Sequence, residues 1–581
     1  MPKSHRGSIL AIDFGSVNTR ALLFDVVDGV YCLVAQGRGR TTIDFPNDDV
    51  FVGLGHILDD MAVATGRQFF DELGRLVKPE QSDRYGVDYC ITTTSAGDSL
   101  RVVLVGLLPN ISIAPALRAI SSFYMQPVAA IHLEDGRDDE ERIHEMASSL
   151  PDLIFISGGT DGGARTPMLA WLSLVKQAVA LMPVANRPTI LYAGNRDLAD
   201  HARQLLGQLA EVIAAPNIRP TAAGEALAPA QLALAQIYSD YKKRRGFSFH
   251  HVAAMSDSGI LPTVHGFEKM TAFFARTIGG DVISMDVGSA RTLLSMSVGG
   301  QVKTLIYNDI GMGHSAAALL ERVGEDAAAE WLPFYPKPGE LAKYARGKGL
   351  RLETLPLGIR ERYIEYALLR AGLRSALAEA GGKQEVDLIV MAGATLTGSA
   401  YRALDMLLLA DALQPVGVVQ VKADQRGALA ALGALALTEP VAVVQLLASD
   451  VIEHLGTVVS ASGQAAAGSR AMKLQLMEAG SRIDRDVEVG EVWHYAPASP
   501  EAEVEVRIQT GRGFRIGGKR RLRLRLRGGT AGLLFDARGR PLSMGASLAE
   551  RVANMSRWFA AVTGQEGTVM IPESWFADSP D

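Results

Sequence analysis

Cysteine is nearly absent: Cys32 and Cys90 are the only two in 581 residues. Two thiols cannot make a disulfide framework, and neither stands in a Cys-x-x-Cys or Cys/His spacing that would hold a metal, so buried free thiols are expected. Charge of one sign is lacking as well. A formal net charge of −6 gives no global pull toward nucleic acid or an anionic membrane surface, so any basic site has to be local. Long apolar runs are missing too, none approaching the roughly 20 residues that a bilayer-spanning helix needs. Behind the basic residues of 1–8, Asp13 and Gly15 interrupt the apolar stretch before a signal-peptide core can form. A cytoplasmic protein is expected, with no nucleic-acid and no membrane partner.

What is present is length, 48% apolar residues and one distant internal repeat. The length allows three or four packed domains. Residues 9–23 read ILAIDFGSVNTRALL and residues 282–294 read VISMDVGSARTLL, so that Asp, Gly, Ser and Thr recur at the same four offsets. In both copies a β-rich run precedes the loop and another follows it to a glycine, Gly29 or Gly299, the pattern of a hairpin.

Between the copies, LIFIS (153–157) and TILYA (189–193) read as short buried strands, each running into a glycine-containing loop and then a helical pattern. This predicts a parallel α/β unit over about 85–250. After the second copy, 316–322 and 359–380 carry helical spacing, VDLIVM (386–391) reads as a strand, and a small-residue helix spans 427–437. From about Ala448 the texture becomes β-alternation, with EVEVRI (503–508) and RLRLRLR (521–527) as strict period-two strands. The expected domains are therefore 1–84, a first half with phosphate loop 1; 85–250, the α/β unit; 251–447, a second half with phosphate loop 2 and an adenosine loop; and 448–581, a separate β-rich domain.

Glycine in an Asp-x-Gly-Ser hairpin lets backbone N–H groups approach phosphate oxygens, and Ser or Thr hydroxyls add donors. Gly15, Ser16, Asn18 and Thr19 are assigned to the first loop and Gly288, Ser289 and Thr292 to the second. Asp13 and Asp286 are the candidate Mg²⁺ ligands, acting through the ion's waters. In an actin-like or sugar-kinase-like ATPase a glycine-rich turn after a strand of the second half meets the adenosine. Residues 393–399 stand there, with Gly393 and Gly398 as the candidate contacts. Gly158, Gly159, Thr160, Asp161, Gly162 and Gly163 form a dense loop that fits neither the P-loop nor the GxGxxG fingerprint; a flexible connection and an anion- or partner-binding loop both stay open. Alternate arginines of 521–527 face alternate glutamates, Glu503 and Glu505, which predicts a charge-paired sheet face. His250 and His251 have no partner spacing for a metal.

Across nearly the whole chain the sequence resembles the glutamate mutase L family, also written MutL, of the actin, Hsc70 and sugar-kinase superfamily. The stretches that carry the resemblance are TTTSAGDSLRVVLVGL (92–107), SGGTDGG (157–163), AGN (193–195), LQPVGV (413–418) and GLLFDARGRPL (532–542). The resemblance implies a two-lobed actin-like ATPase fold with duplicated ribonuclease-H-like halves, an inserted α/β unit and a C-terminal β-rich domain. It implies an accessory, chaperone-like protein of adenosylcobalamin-dependent mutases such as glutamate mutase or a related aminomutase. ATP or ADP with Mg²⁺ would sit between the halves and bias their closure, the cobalamin being held by the mutase partner. The chain itself is not expected to perform the mutase reaction.

The second loop departs from the family's usual Asp-x-Gly-Gly-Ala-Thr-Thr-Asp, with Ser289 for the second glycine, Arg291 for the first threonine and Leu293 for the last aspartate. Ala394 replaces a glycine of the adenosine loop. These departures leave three readings open: a slow ATPase, a nonenzymatic scaffold with a degenerate nucleotide site, and a small-molecule kinase.

Overall fold

A computed structural model describes residues 7–564 apart from 45, 82, 83, 245, 353, 355, 357, 383, 384, 437 and 467. The basic residues 1–6, the last residue of the expected 427–437 helix and the end of the expected C-terminal domain lie outside the described residues. The chain divides into two units, one holding residues 1–25 and 34–266, the other 26–33 and 267–581.

In the first unit the strands follow in chain order as β1 (Ile9–Phe14), β2 (Asn18–Val27), β3 (Val30–Arg40), β4 (Tyr89–Thr94), β5 (Leu100–Val105), β6 (Met125–Ile131), β7 (Leu153–Ile156), β8 (Thr189–Tyr192), β9 (Val212–Ala214) and β10 (Ile260–Pro262). One sheet runs β3-β2-β1-β4-β10. Its central strands β1 and β4 are buried along their whole length, as their unbroken apolar and threonine runs require. β1 is antiparallel to β2 and parallel to β4, and β4 is parallel to β10.

The second unit repeats this plan. β11 (Val282–Val287), β12 (Thr292–Val298), β13 (Gln301–Tyr307), β14 (Leu388–Ala392) and β15 (Gly417–Asp424) lie in the order β13-β12-β11-β14-β15. β11 is antiparallel to β12 and parallel to β14, and β14 is parallel to β15. The fold is thus α/β with two ribonuclease-H-like halves, the actin-like arrangement. The helices expected at 316–322 and 359–380 are Ala316–Val323 and Ile359–Ala380, which pack into the core under this sheet.

Between β4 and β10 the chain builds an all-parallel sheet, β6-β5-β7-β8-β9. Two boundaries differ from expectation. The first half resumes after residue 250, because β10 returns to pair with β4; at three residues it is too short to show a period in sequence. Nor does 448 begin a separate sheet. β16 (Glu453–Ser460) pairs antiparallel with β15, the strand Gly532–Asp536 pairs parallel with β16, and Val492–Tyr495 closes the edge, widening the second half's sheet to eight strands.

Of the remaining strands, two short ones, Ser462–Gly463 and Phe514–Arg515, pair with each other, and four form an antiparallel sheet. Its exposed face pairs charge as the alternation suggested: Arg523 and Arg525 reach Glu505 at 3.2 and 3.4 Å. His250 and His251 are exposed on the short helix Phe249–Met255, and Cys90 is buried while Cys32 is half-buried. Among the described residues no helix is long and apolar enough to cross a membrane.

Candidate functional site

The two Asp-x-Gly-Ser loops close in the same way. In the first, the Gly15 amide donates to the Asn18 carbonyl at 3.0 Å; in the second, the Gly288 amide donates to the Arg291 carbonyl at 3.0 Å. A Cβ at Gly15 would stand 2.7 Å from the Asn18 carbonyl oxygen and one at Gly288 3.0 Å from that of Arg291, so glycine is what lets each turn close. The strands frame the loops in identical register, Phe14 facing Thr19 and Val287 facing Thr292. Both glycine amides are therefore engaged in closing the turn. Ser16, Asn18 and Ser289 stay half-buried.

Asp13 is buried at the end of β1, where the hydroxyls of Thr93 and Thr263 each donate to its Oδ1 at 2.7 Å. Burial raises this carboxyl above its ordinary range; the two hydroxyl donors and Arg20 pull it down without cancelling the rise. Thr93 lies within the 92–107 stretch that marked the family, but Thr263 is 250 positions from Asp13 and carries no local signal. Asp286, the counterpart in the second half, is half-buried. Among the described residues no three His, Cys, Asp or Glu side chains gather to hold a metal.

Thr19 and Thr292 occupy equivalent positions and are both fully buried, yet they differ. The Thr19 hydroxyl is 3.1 Å from that of Thr41, which in turn donates to the Gly15 carbonyl at 2.7 Å, so Thr19 braces the first loop from within. Thr292 Oγ1 has no hydrogen-bond partner. A buried hydroxyl left unmatched costs stability.

The second loop is buttressed by residues 311–315, which sequence reasoning missed. The amides of Gly313 and Ser315 donate to the Ser289 carbonyl, and the His314 amide donates to Ser289 Oγ at 3.1 Å. That hydroxyl also lies 3.0 Å from His314 Nδ1, and a Cβ at Gly313 would stand 2.1 Å from Ser289 Oγ. The Gly311-Met-Gly313-His spacing was the available signal.

Gly393 is placed against the same loop. Its φ is 98°, and a Cβ there would fall 2.2 Å from the Val287 carbonyl oxygen at the end of β11. Gly398 is exposed at the end of the short turn Ala394–Thr397. Between them, Thr395 donates to Glu365 Oε1 at 3.4 Å. Glu365 is buried, bonded to Lys348 Nζ at 3.2 Å and to the Tyr344 hydroxyl at 2.7 Å. Lys348, Tyr344, Gly347, Arg351 and Ile364 line a cavity of about 540 Å³. Burial and the neighbouring Glu365 hold the Tyr344 hydroxyl above its ordinary range, so it remains a donor. In the second unit, then, the second Asp-x-Gly-Ser loop touches the Gly393 turn, and Thr395 of that turn reaches Glu365, which bonds Lys348 and Tyr344 of the cavity.

Residues 158–163 follow the carboxyl end of β7 in the parallel sheet.

The family model described as MutL protein matches residues 9–451. The chain is 22% identical over 348 residues to Protein MutL of Clostridium tetanomorphum, an alignment covering 56% of this chain and 68% of that one. It also matches a nucleotide-free acetone carboxylase structure at 12% identity and a TM-score of 0.31, over 83% of this chain and 81% of that one. A glycerol dehydratase reactivase structure matches at 11% identity and a TM-score of 0.30, over 74% of this chain and 100% of that one. The span matched by the family model starts at the first residue of β1 and runs beyond β15, taking in both Asp-x-Gly-Ser loops and the Gly393 turn; the chain belongs to the MutL protein family.

Proposed function

We propose that this chain is a nucleotide-binding accessory protein of adenosylcobalamin-dependent mutases, glutamate mutase or a related aminomutase among them. The observation that carries the nucleotide is the identical closure of two Asp-x-Gly-Ser loops on two sheets that share one five-strand plan. Membership of the MutL family supports the mutase as partner.

In this reading the cavity beside Lys348 and Tyr344 takes the adenosine, and the Gly393 turn is joined to those two residues through the Thr395 bond to Glu365. Ser289 and Thr292 meet the phosphates in the second half; Ser16 and Asn18 do so in the first, with Thr19 shaping that loop from beneath. In each half the loop's aspartate, Asp13 or Asp286, would serve as a Mg²⁺ ligand through the ion's waters, and the ion would supply positive charge against phosphate oxygens. Binding that differs between ATP and ADP would then bias a conformational equilibrium, and through it the affinity for a cytoplasmic mutase partner that holds the cobalamin.

One observation favours a second reading, a scaffold that binds nucleotide poorly or not at all. Leu293, which stands where the family carries an aspartate, lies directly across the strand pair from Asp286 and is buried. A calorimetric titration with ATP·Mg²⁺ and with ADP separates the two. Saturable binding, weakened tenfold or so in both Asp13→Ala and Asp286→Ala, supports the switch; no heat at millimolar nucleotide leaves the scaffold.

A further inference from the structure

The nucleotide reading does not use residues 157–163. They end β7 in the parallel sheet ordered β6-β5-β7-β8-β9. From β5 the chain goes first to one neighbour, β6, and then to the other, β7, so the connections after β5 and β7 leave on opposite faces. Open parallel sheets bind ligands in the crevice outside the strand ends at this switch point. Both connections are unusual here. β5 runs through Gly106 into a single π-helical turn, Pro109–Ile113, and β7 runs into a loop with Gly158, Gly159 and Gly162 at φ of 129°, 68° and 74°.

That loop is held, not slack. The side chain of Asn195, fully buried after β8, accepts from the Gly162 amide at 3.3 Å and donates to the Gly163 carbonyl at 3.1 Å. Asn217, buried after β9, donates to the Gly159 carbonyl and to Asp161 Oδ1, both at 2.9 Å. The Arg196 amide also donates to Asp161 Oδ1. The carboxylate is thereby tied into the loop's own scaffold.

Beneath the crevice is an unmatched hydroxyl. Ser112 is 2% exposed, and its Oγ has no hydrogen-bond partner. It sits between the two connections: a Cβ at Gly106 would stand 2.6 Å from Ser112 Cβ, and one at Gly158 3.1 Å from Ser112 Oγ. His132 Nδ1, just past β6, is likewise buried and unmatched. The helix that follows the loop, Thr166–Leu181, begins without a side-chain cap; Pro167 in its first turn carries no N–H, so the Thr166 and Met168 amides and the positive dipole end are what it leaves for an anion. Arg165 and Arg196 are exposed at the rim, and Thr160 offers a further hydroxyl.

We propose that this crevice is a second small-ligand site, for a phosphate-bearing small molecule, distinct in every residue from the nucleotide site. Oxyanion chemistry is indicated because the helix amides donate, Arg165 and Arg196 are cations, the Ser112 hydroxyl is able to donate, and the one acid in the loop is already satisfied. The test is hydrogen–deuterium exchange of the full chain with and without inorganic phosphate. It is repeated in the Asp13→Ala, Asp286→Ala double variant, where nucleotide-loop binding is disabled, and in Ser112→Ala. Phosphate is expected to slow exchange across 106–113 and 157–168 by about threefold or more, in wild type and double variant alike. In Ser112→Ala this protection is lost, while the variant melts at or above the wild-type temperature because an unmatched polar atom has gone. Unchanged exchange, protection confined to 13–19 and 286–292, or full protection in Ser112→Ala overturns the proposal.

Discussion

Arg538 donates from Nη1 to Asp411 Oδ1 at 2.6 Å, joining two buried side chains 127 positions apart. Arg370 reaches the other oxygen of Asp411 at 2.8 Å, and Asp536 accepts from both Arg538 and Arg540 at 2.8 Å. The Trp331 and Trp558 rings lie under Arg370 and Arg538 at 4.8 and 4.7 Å. Burial alone would raise the Asp536 carboxyl, but Arg538 and Arg540 outweigh it and hold it well below the usual carboxylate range. Two family stretches meet here, for Arg540 also donates to the Pro415 carbonyl and the Leu542 amide to Gln414 Oε1. Their role is to fasten the C-terminal strand Gly532–Asp536 to the second half.

Asp411→Ala leaves Arg370 and Arg538 without their shared acceptor. Breaking a buried pair in this way costs about 3 to 5 kcal/mol, far more than the intact pair contributes over an apolar substitute. Urea denaturation followed by tryptophan fluorescence is the measurement. A loss below about 1 kcal/mol would show the network to be dispensable.

The network also explains what was legible in sequence. The hairpins after Asp13 and Asp286 were readable because the turn chemistry and the alternation are local. The boundary expected at 448 misled because β16 and Gly532–Asp536 pair across a long separation, and each strand alone has the same β texture as the four-stranded sheet beside it. The Thr263 bond to Asp13 and the Ser289 bond to His314 were invisible for a related reason: a hydroxyl's partner is set by tertiary approach, not by periodicity.

Asp405 makes stability depend on pH with a definite sign. It is buried, accepts from the Ser399 amide at 3.2 Å and pairs with Arg402 at 3.3 Å, which clamps the far end of the Gly393 turn. Burial raises its pKa to about 6, the Ser399 and Arg402 contacts pulling the other way. Between the unfolded value near 4 and about 6 the folded state holds the extra proton, so its contribution is complete at low pH and is lost as pH rises through 6. The loss is on the order of 2 to 3 kcal/mol. Melting temperatures of wild type and Asp405→Asn from pH 5 to 7.5 should show wild type losing ground to the variant; a constant gap would remove Asp405 as the source.

Leu293→Asp installs the family's carboxylate opposite Asp286 in a strand whose side chains are packed. A buried charge facing another of the same sign is expected to destabilise the chain by roughly 2 to 5 kcal/mol, more at pH 8 than at pH 5. Mg²⁺·ATP should recover part of this loss if the ion is held between the two acids. Thermal melts with and without Mg²⁺·ATP decide the matter, and an equal loss under both conditions would separate this position from the metal.

Thr292 and Thr19 provide the sharpest contrast, since the same substitution should act oppositely at equivalent positions. Thr19→Val removes the contact with Thr41 that braces the first loop, leaving the Thr41 hydroxyl with the Gly15 carbonyl alone; a stability loss of about 1 kcal/mol is expected. Thr292→Val removes a hydroxyl with no protein partner, so the free protein should be as stable as wild type or slightly more so. If that hydroxyl waits for a phosphate oxygen, nucleotide affinity in Thr292→Val falls about tenfold, equivalent to roughly 1.4 kcal/mol. Paired calorimetry and thermal melts on the two variants read both effects. Undiminished affinity in Thr292→Val would mean that the orphan hydroxyl is a packing remnant, leaving Ser289 as the second loop's phosphate contact.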